Sequence, residues 1–312
     1  MLTSMCLIVN PAAGGGRGER LAPVVAQALN AHGLDVRRAD TRDLQHAREL
    51  AAEAAANAQT VVALGGDGLI GALADVLREH PQAVLGIVPG GRGNDLARVL
   101  GIPNDPAGAA AVISAGHTRR MDLGLVESAQ HPDGGRAFVG IASAGFDSDA
   151  NRIANEAPAW LGGLVYLYGA LRALAAWKPA HFELELDPPG GERHSFSAFS
   201  VGACNSRTYG GGMRAAPDAM LDDGLLDIVL CESIGKPAFL TRILPKVFSG
   251  AHVREPSVHV FRARELALTA DRPFTMYADG DPIGELPVRV RALPGAVTIL
   301  TPAHGSPAFS ST

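Results

Sequence analysis

An apolar run, Val61-Val62-Ala63-Leu64, passes directly into Gly65-Gly66-Asp67-Gly68-Leu69. Such a junction reads as a buried strand ending in a tight turn ahead of a helix. Three glycines let the backbone approach a ligand with its N–H groups exposed, and an acid among them suits the magnesium that a polyphosphate brings. A Gly-Gly-Asp-Gly turn also serves as a plain strand-to-helix connection, so the surrounding pattern decides between the two.

That pattern alternates strand and helix through the first third of the chain. Met5 to Val9 reads as a strand, and Leu21, Val24, Val25, Ala28 and Leu29 repeat at the spacing of one helical stripe. Leu34 to Ala39 predicts a second strand, Leu44 to Ala58 a second helix, Thr60 to Leu64 a third strand, Leu69 to Arg78 a third helix and Val84 to Val88 a fourth strand. This order implies a parallel sheet covered on both faces. Ligands of such sheets sit outside the carboxyl ends of the strands. Glycine gathers at those ends: Asn10-Pro11-Ala12-Ala13-Gly14-Gly15-Gly16-Arg17-Gly18 after the first strand, the opening motif after the third, and Pro89-Gly90-Gly91-Arg92-Gly93-Asn94-Asp95 after the fourth. Three such loops on one sheet edge exceed what turn chemistry requires and point to a phosphate-bearing ligand.

From about residue 122 the texture changes to strand-like runs separated by Pro and Gly turns: Arg136 to Ala142, His181 to Asp187, Ser195 to Ala203, Leu225 to Cys231, Ser257 to Phe261 and Leu266 to Thr269. They predict a mostly antiparallel second domain. Helical passages are expected over Trp160 to Trp177 and Lys236 to Phe248. A closing strand, Ala296 to Leu300, is expected after a Pro294-Gly295 turn and returns to the first domain. The expected boundaries are therefore 1–121 with 296–312 returning, and 122–295.

With 312 residues, 47% hydrophobic and 19% charged, the chain has ample core material. A net charge of −5 without a long basic run argues against nucleic acid as a partner. Cys6, Cys204 and Cys231 are odd in number and lack metal-ligand spacing, which fits a reducing cytoplasm. The N-terminus has no basic leader and reads as a first strand, so export is not expected. The apolar stretch Ala157 to Leu171 is cut by Arg172 short of the roughly 18 residues a spanning helix needs, so no transmembrane segment is expected.

The ordered motifs resemble those of the diacylglycerol kinase catalytic family, the soluble bacterial lipid kinases related to sphingosine kinases. The resemblance spans nearly the whole chain. Asn10-Pro11 with its loop, Gly65-Gly66-Asp67-Gly68 and Pro89 to Arg98 look like the family's nucleotide-binding signatures. Met121-Asp122-Leu123-Gly124, Ala144-Gly145-Phe146-Asp147, Gly210-Gly211-Gly212-Met213 and Ala216 to Asp227 look like its second-domain signatures, and Asp279-Gly280-Asp281 falls where the family has Asp-Gly-Glu. The resemblance implies an α/β N-terminal domain of the NAD kinase and phosphofructokinase kind, a β-rich domain for the lipid, and transfer of the ATP γ-phosphoryl group to a lipid hydroxyl, diacylglycerol foremost. It implies a cytoplasmic protein working at a membrane face, with a homodimer one assembly it admits.

Carried over residue by residue, the resemblance assigns ATP to Asn10, Pro11, Gly14, Gly15, Gly16, Thr41, Gly65, Gly66, Asp67, Gly68, Leu69, Gly91, Arg92, Asn94 and Asp95, with Asp67 holding Mg²⁺ directly or through water. The family base, a glutamate, corresponds to Asp281, one methylene shorter; Asp67, the acid that sphingosine kinases use, is the second candidate base. Leu69 stands where many members have Thr, and Arg92 where they have Thr, where it offers a guanidinium fork to phosphates. A structural Mg²⁺ site is implied at Asp223 with the carbonyls of Met220 and Leu225. The stripe Leu161, Leu164, Val165, Leu167, Tyr168, Leu171 and Leu174 is the candidate wall for the lipid. Competing readings are a sphingoid-base kinase, a kinase of a soluble acceptor like NAD kinase, and a catalytically weak lipid- or nucleotide-binding regulator.

Overall fold

The computed structural model describes residues 4–131, 134–156 and 165–310. The chain divides into two compact units, Met1–Leu123 with Leu221–Asp223 and Pro294–Thr312, and Gly124–Met220 with Gly224–Leu293.

The first unit runs β1 (Ser4–Val9), α1 (Ala13–Ala31), β2 (Asp35–Asp40), α2 (Leu44–Ala56), β3 (Thr60–Gly65), α3 (Asp67–Leu77), β4 (Val84–Pro89), α4 (Asp95–Leu100), α5 (Pro106–Ala115) and the start of β5 (Thr118–Ser128). The strands lie in the order β2-β1-β3-β4, all parallel. The end of the last strand, β15 (Val288–Leu300), adds a fifth by pairing Thr298 with Val84 and Ile299 with Leu85. Every residue of β3 and every residue from Met5 to Val9 is buried, as strands covered on both faces must be. The chain steps from β1 to β2 in one direction and from β2 through β3 to β4 in the other. Right-handed crossovers then put α1 on one face and α2 and α3 on the other; accordingly α2 packs on α3 and α1 on α5. Two of the helices, α2 and α5, start on side-chain caps, Asp43 accepting from the His46 N–H and Asp105 from the Gly108 N–H.

One expected helical stripe is rotated. The buried face of α1 is Gly18, Ala22, Val25 and Leu29, whereas Val24 is about half exposed. Gly18 sets this rotation, because a Cβ there would lie 2.1 Å from the Asn10 carbonyl oxygen and only a glycine lets the helix close on that loop.

The second unit carries the rest of β5, β6 (Arg136–Phe138), β7 (Ile141–Gly145), α6 (Phe146–Glu156), α7 (Val165–Ala176), β8 (Ala180–Leu186), β9 (Arg193–Cys204), β10 (Leu226–Glu232), β11 (Val258–Ala263), β12 (Glu265–Ala270), β13 (Thr275–Ala278), β14 (Asp281–Glu285) and the first part of β15. Its strands follow the order β14-β13-β7-β9-β8-β12-β15, with β10 joining β9 to β11 and β6 pairing β5, all antiparallel. The core is aromatic: Phe199 stacks between Trp177 (6.0 Å) and Phe239 (4.5 Å), and the Phe146 edge meets both neighbours. These contacts tie α6, the end of α7 and β9 to one cluster.

Three expected elements differ. Arg136 to Ala142 is two strands, broken at Val139-Gly140 where both N–H groups turn to a side chain. Lys236 to Phe248 is an α turn (Lys236–Ala238), a π segment (Phe239–Ile243) and another α turn (Leu244–Val247), the wide turns keeping Phe239 and Ile243 both inward. The Pro294-Gly295 dipeptide does not break the chain: β15 runs through it, with Gly295 at φ +54° donating its N–H to Asp122 Oδ1 at 2.6 Å. The start of the expected Trp160 to Trp177 helix lies outside the described residues, and α7 covers the remainder. Among the described residues no helix is long and apolar enough to cross a membrane.

Candidate active site

In the first unit the strand order reverses between β1 and β3, so their carboxyl ends open the crevice at which doubly wound sheets bind ligands. Asn10 follows β1, Thr41 follows β2, Gly65 to Gly68 join β3 to α3, and Gly90 to Asn94 follow β4, so the expected nucleotide residues share one sheet edge. The Asn10 N–H donates to the Leu64 carbonyl and the Thr41 N–H to the Val9 carbonyl, while Asn10 Oδ1 accepts from Ala12 N–H. Pro11 and Gly68 are half-buried.

The glycines fall into two kinds. Gly14, Gly15 and Gly16 take φ of 58°, 70° and 86°, a run of left-handed residues that delays the regular helix of α1. Nothing lies within 4 Å of a Cβ built on Gly15, so that side of the loop is open space. By contrast, Gly91 is required by contact, and Gly65, Gly66 and Gly90 are tightly packed against their neighbours. A Cβ on Gly91 would meet Gly66 Cα at 2.5 Å, and a Cβ on Gly14 would meet the Gly90 carbonyl oxygen at 2.7 Å. Gly90 and Gly91 N–H both donate to the Gly65 carbonyl. The three loops therefore pack backbone against backbone. Leu69 fills the space beside Gly65 and is buried.

Two polar side chains lock the loops. Asn94, in a left-handed conformation and almost fully buried, accepts from the Gly91 N–H (2.8 Å) and donates to the Gly91 carbonyl (3.1 Å). Asp67, first residue of α3, accepts from the Asp95 N–H and the Leu96 N–H, each at 3.0 Å. These charge-assisted bonds fasten the start of α4 to the start of α3. Each Asp67 oxygen spends one lone pair in this way and keeps another for a hard cation, so the carboxylate suits magnesium. Asp95 is buried and pairs with Arg98 at 2.6 Å. Arg92 is exposed and makes no ion pair among the described residues.

The second unit builds its acid turn differently. Asp279 (φ +52°) and Gly280 (φ +94°) form the two-residue loop of the β13–β14 hairpin, and Asp281 opens β14 opposite Ala278. Asp279 turns its carboxylate inward to accept from the Val139 N–H (2.8 Å) and the Gly140 N–H (2.9 Å), the break between β6 and β7. A Cβ on Gly140 would meet Asp279 Oδ1 at 2.6 Å. The Gly140 carbonyl in turn accepts from the Asn205 and Ser206 N–H groups, and Asn205 Nδ2 donates to the Val139 carbonyl. The sequence signal for this anchor was the Asp-Gly hairpin pair, but its partner lies 140 residues away in the chain.

Of the proposed Mg²⁺ ligands, Met220 and Leu225 are half-buried, as is Asp223. Their neighbour Asp222 pairs with Arg119 at 3.2 Å and accepts from the Ser310 N–H at 2.7 Å, and Leu221 exchanges backbone bonds with Asp122 and Ala308. Among the described residues no three His, Cys, Asp or Glu side chains form a metal cluster, so a cation here would rely on carbonyl oxygens. In the apolar stripe, Leu161 and Leu164 lie outside the described residues, as do the side chains of Val165 and Leu167. Leu174 is buried in the aromatic core, and Leu171 is 47% exposed.

Set against known proteins, residues 4–126 match the family described as "Diacylglycerol kinase catalytic domain", and residues 140–301 match the "YegS C-terminal NAD kinase beta sandwich-like domain". The chain belongs to this diacylglycerol kinase and YegS-like family. A protein named diacylglycerol kinase from Mycobacterium tuberculosis is 35% identical over 302 residues, which cover 96% of this chain and 95% of that one. A protein named "Probable lipid kinase YegS-like" from Pseudomonas fluorescens is 32% identical over 279 residues, covering 88% and 89%. The fold is that of a crystal structure of a diacylglycerol kinase from Bacillus anthracis str. Sterne, with a TM-score of 0.74 at 23% identity over 97% of this chain and 98% of that one.

Proposed function

We propose that the protein is a lipid kinase that transfers the γ-phosphoryl group of ATP to the hydroxyl of diacylglycerol, giving phosphatidic acid. The observation that carries the reading is the backbone-on-backbone packing of three glycine loops at the carboxyl ends of β1, β3 and β4, with open space beside Gly15. Phosphoryl transfer asks a protein mostly for positioning and charge neutralisation. The N–H groups of the first two loops hold the phosphates, and Arg92, exposed and without an ion pair among the described residues, is available to them. Asp67 is the acid to hold Mg²⁺, which when bound neutralises charge on the polyphosphate.

Asp281 is the proposed base. It takes the proton of the lipid hydroxyl as that oxygen forms its bond to the γ-phosphorus and the bond from phosphorus to the β,γ-bridging oxygen breaks, ADP leaving with that electron pair. Asp279 is a positioning residue: with both oxygens engaged by backbone N–H groups it fixes the hairpin from which Asp281 projects. A structural cation on Asp223 with the Met220 and Leu225 carbonyls remains part of the proposal, as does action from the cytoplasm at a membrane face.

Incubation with labelled ATP, Mg²⁺ and detergent micelles of diacylglycerol is expected to label phosphatidic acid. Label on sphingosine alone would move the acceptor to a sphingoid base, and ATP-dependent consumption of NAD with no labelled lipid would overturn the reading. Asp281→Asn is expected to lower kcat by about 10²- to 10⁴-fold with the fold intact, whereas Asp281→Glu retains activity. Asp67→Asn is expected to abolish transfer, and full activity in that variant would remove Asp67 from the mechanism.

A further inference from the structure

Three of the five large apolar side chains that stand exposed among the described residues, Leu171, Leu240 and Phe248, belong to α7 and to the helical segment Lys236–Ala238, Phe239–Ile243, Leu244–Val247 with the residue after it. That segment faces two ways. Phe239 and Ile243 point into the aromatic core, where Phe239 meets Phe146 at 5.1 Å, while Leu240 is 36% and Phe248 59% exposed. Lys236 Nζ donates to the Ala175 carbonyl at 2.9 Å and so ties the segment to the last turn of α7. Single exposed apolar side chains are ordinary, so it is the gathering of three on two linked helical segments, rimmed by polar residues, that marks a contact surface.

The charge around these side chains indicates what covers them. Residues 233–254 hold Lys236, Arg242, Lys246 and Arg254 and no Asp or Glu, in a protein of net charge −5. Lys246 is neutralised by Glu255, but Arg242 and Arg254 are exposed and make no ion pair among the described residues. On α7, Arg172 is exposed too, lying over the Tyr168 ring. Exposed apolar side chains flanked by cations, on helices too short to span, match an in-plane membrane contact: the apolar groups enter the acyl boundary and the cations meet anionic headgroups.

We infer that this face, centred on Leu240, Phe248 and Arg242, docks on an anionic phospholipid bilayer. The inference deepens the lipid-kinase reading, and rests on it for its biological purpose, by naming where the protein meets the surface that holds its substrate. Net repulsion between an acidic protein and an anionic surface is overcome locally because the cations are gathered in one segment, within the short range over which salt leaves charges effective.

The test is flotation of the full chain with vesicles of phosphatidylcholine alone and with vesicles containing equal parts phosphatidylglycerol. The wild type is expected to bind the anionic vesicles and not the neutral ones. The double variant Leu240→Ser, Phe248→Ser is expected to lose about tenfold in partitioning, and Arg242→Gln about fivefold on anionic vesicles only, each with an unchanged circular dichroism spectrum and unchanged activity on detergent-dispersed diacylglycerol. No binding by the wild type, or equal binding by wild type and double variant, overturns the inference. So does a double variant that converts a dimer to a monomer with vesicle binding unchanged, since a second copy would then be what covers the patch. If the wild type binds vesicles but phosphorylates no lipid, the kinase reading fails and the docking surface stands.

Discussion

The two candidate acids are held by opposite means, each inside its own unit. In the first unit Asp67 sits where glycine backbones press on one another, and its carboxylate is one fastening among several: Gly91 on Gly66, Gly14 on Gly90, Asn94 on Gly91. In the second, the turn that presents Asp281 is tied down by the Asp279 side chain, whose two oxygens satisfy the backbone donors of a strand break, together with the Asp279 N–H, which donates to the Ile141 carbonyl. A backbone-built loop fails when something is added to it. A side-chain-built loop fails when something is taken away.

The sharpest test of this contrast removes the Asp279 carboxylate. Asp279→Ala leaves the Val139 and Gly140 donors without their acceptor, at a cost of about 3 kcal/mol, read from the urea midpoint. If Asp279 only stabilised the fold, kcat per folded molecule would be unchanged; as a positioning residue it lowers kcat with little effect on the KM for ATP. Gly91→Ala is the converse, adding a Cβ 2.5 Å from Gly66 Cα; it is expected to cost about 2 kcal/mol and to weaken nucleotide binding in an equilibrium titration. Gly15→Ala adds the same methyl group in open space, so only the left-handed φ is penalised, about 1 kcal/mol in the same melt. Equal effects of the two alanines would mean that close approach is not what the glycines supply.

The smallest expected effect asks whether the second unit's reliance on buried polar side chains extends past Asp279. His252 is 5% exposed, and burial holds its pKa below the ordinary value near 6.5, against a hydrogen bond to the Ala215 backbone. The unfolded chain takes up that proton near pH 6.5 and the folded one does not. The stability it contributes is therefore intact above that pH and is lost as pH falls below it. Chemical melts between about pH 7 and pH 5 should show a shallower loss in His252→Gln than in the wild type.

The parallel sheet was legible because strands covered on both faces leave unbroken apolar runs, and because glycine at their carboxyl ends has few other uses. Hidden from the sequence were features set by distant partners. The break at Val139-Gly140 reads as continuous strand until Asp279 is seen to claim both donors. The exposed Val24 follows from a contact between Gly18 and the Asn10 carbonyl that helical periodicity cannot register. Pro294-Gly295 carries the signature of a turn, yet Asp122 holds Gly295 within the strand. Asn94 and Asp67 were visible as motif residues, but that Asn94 closes its own loop on Gly91 and Asp67 fastens the start of α4 to the start of α3 required the geometry. The π segment arose from the need to turn Phe239 and Ile243 inward together, a demand of the core and not of local propensity.

The pairing of β15 with β4 has a consequence for how the protein is made. On the ribosome, β1 to β4 emerge before the second unit, but the edge of β4 must wait for Thr298 and Ile299, which follow that unit in the chain. Throughout synthesis of the intervening residues the nascent chain carries an open strand edge, the kind that invites pairing with another chain. The second unit thus sets an interval in which the parallel sheet is nearly built but unguarded, and synthesis speed or a chaperone in that interval bears directly on yield.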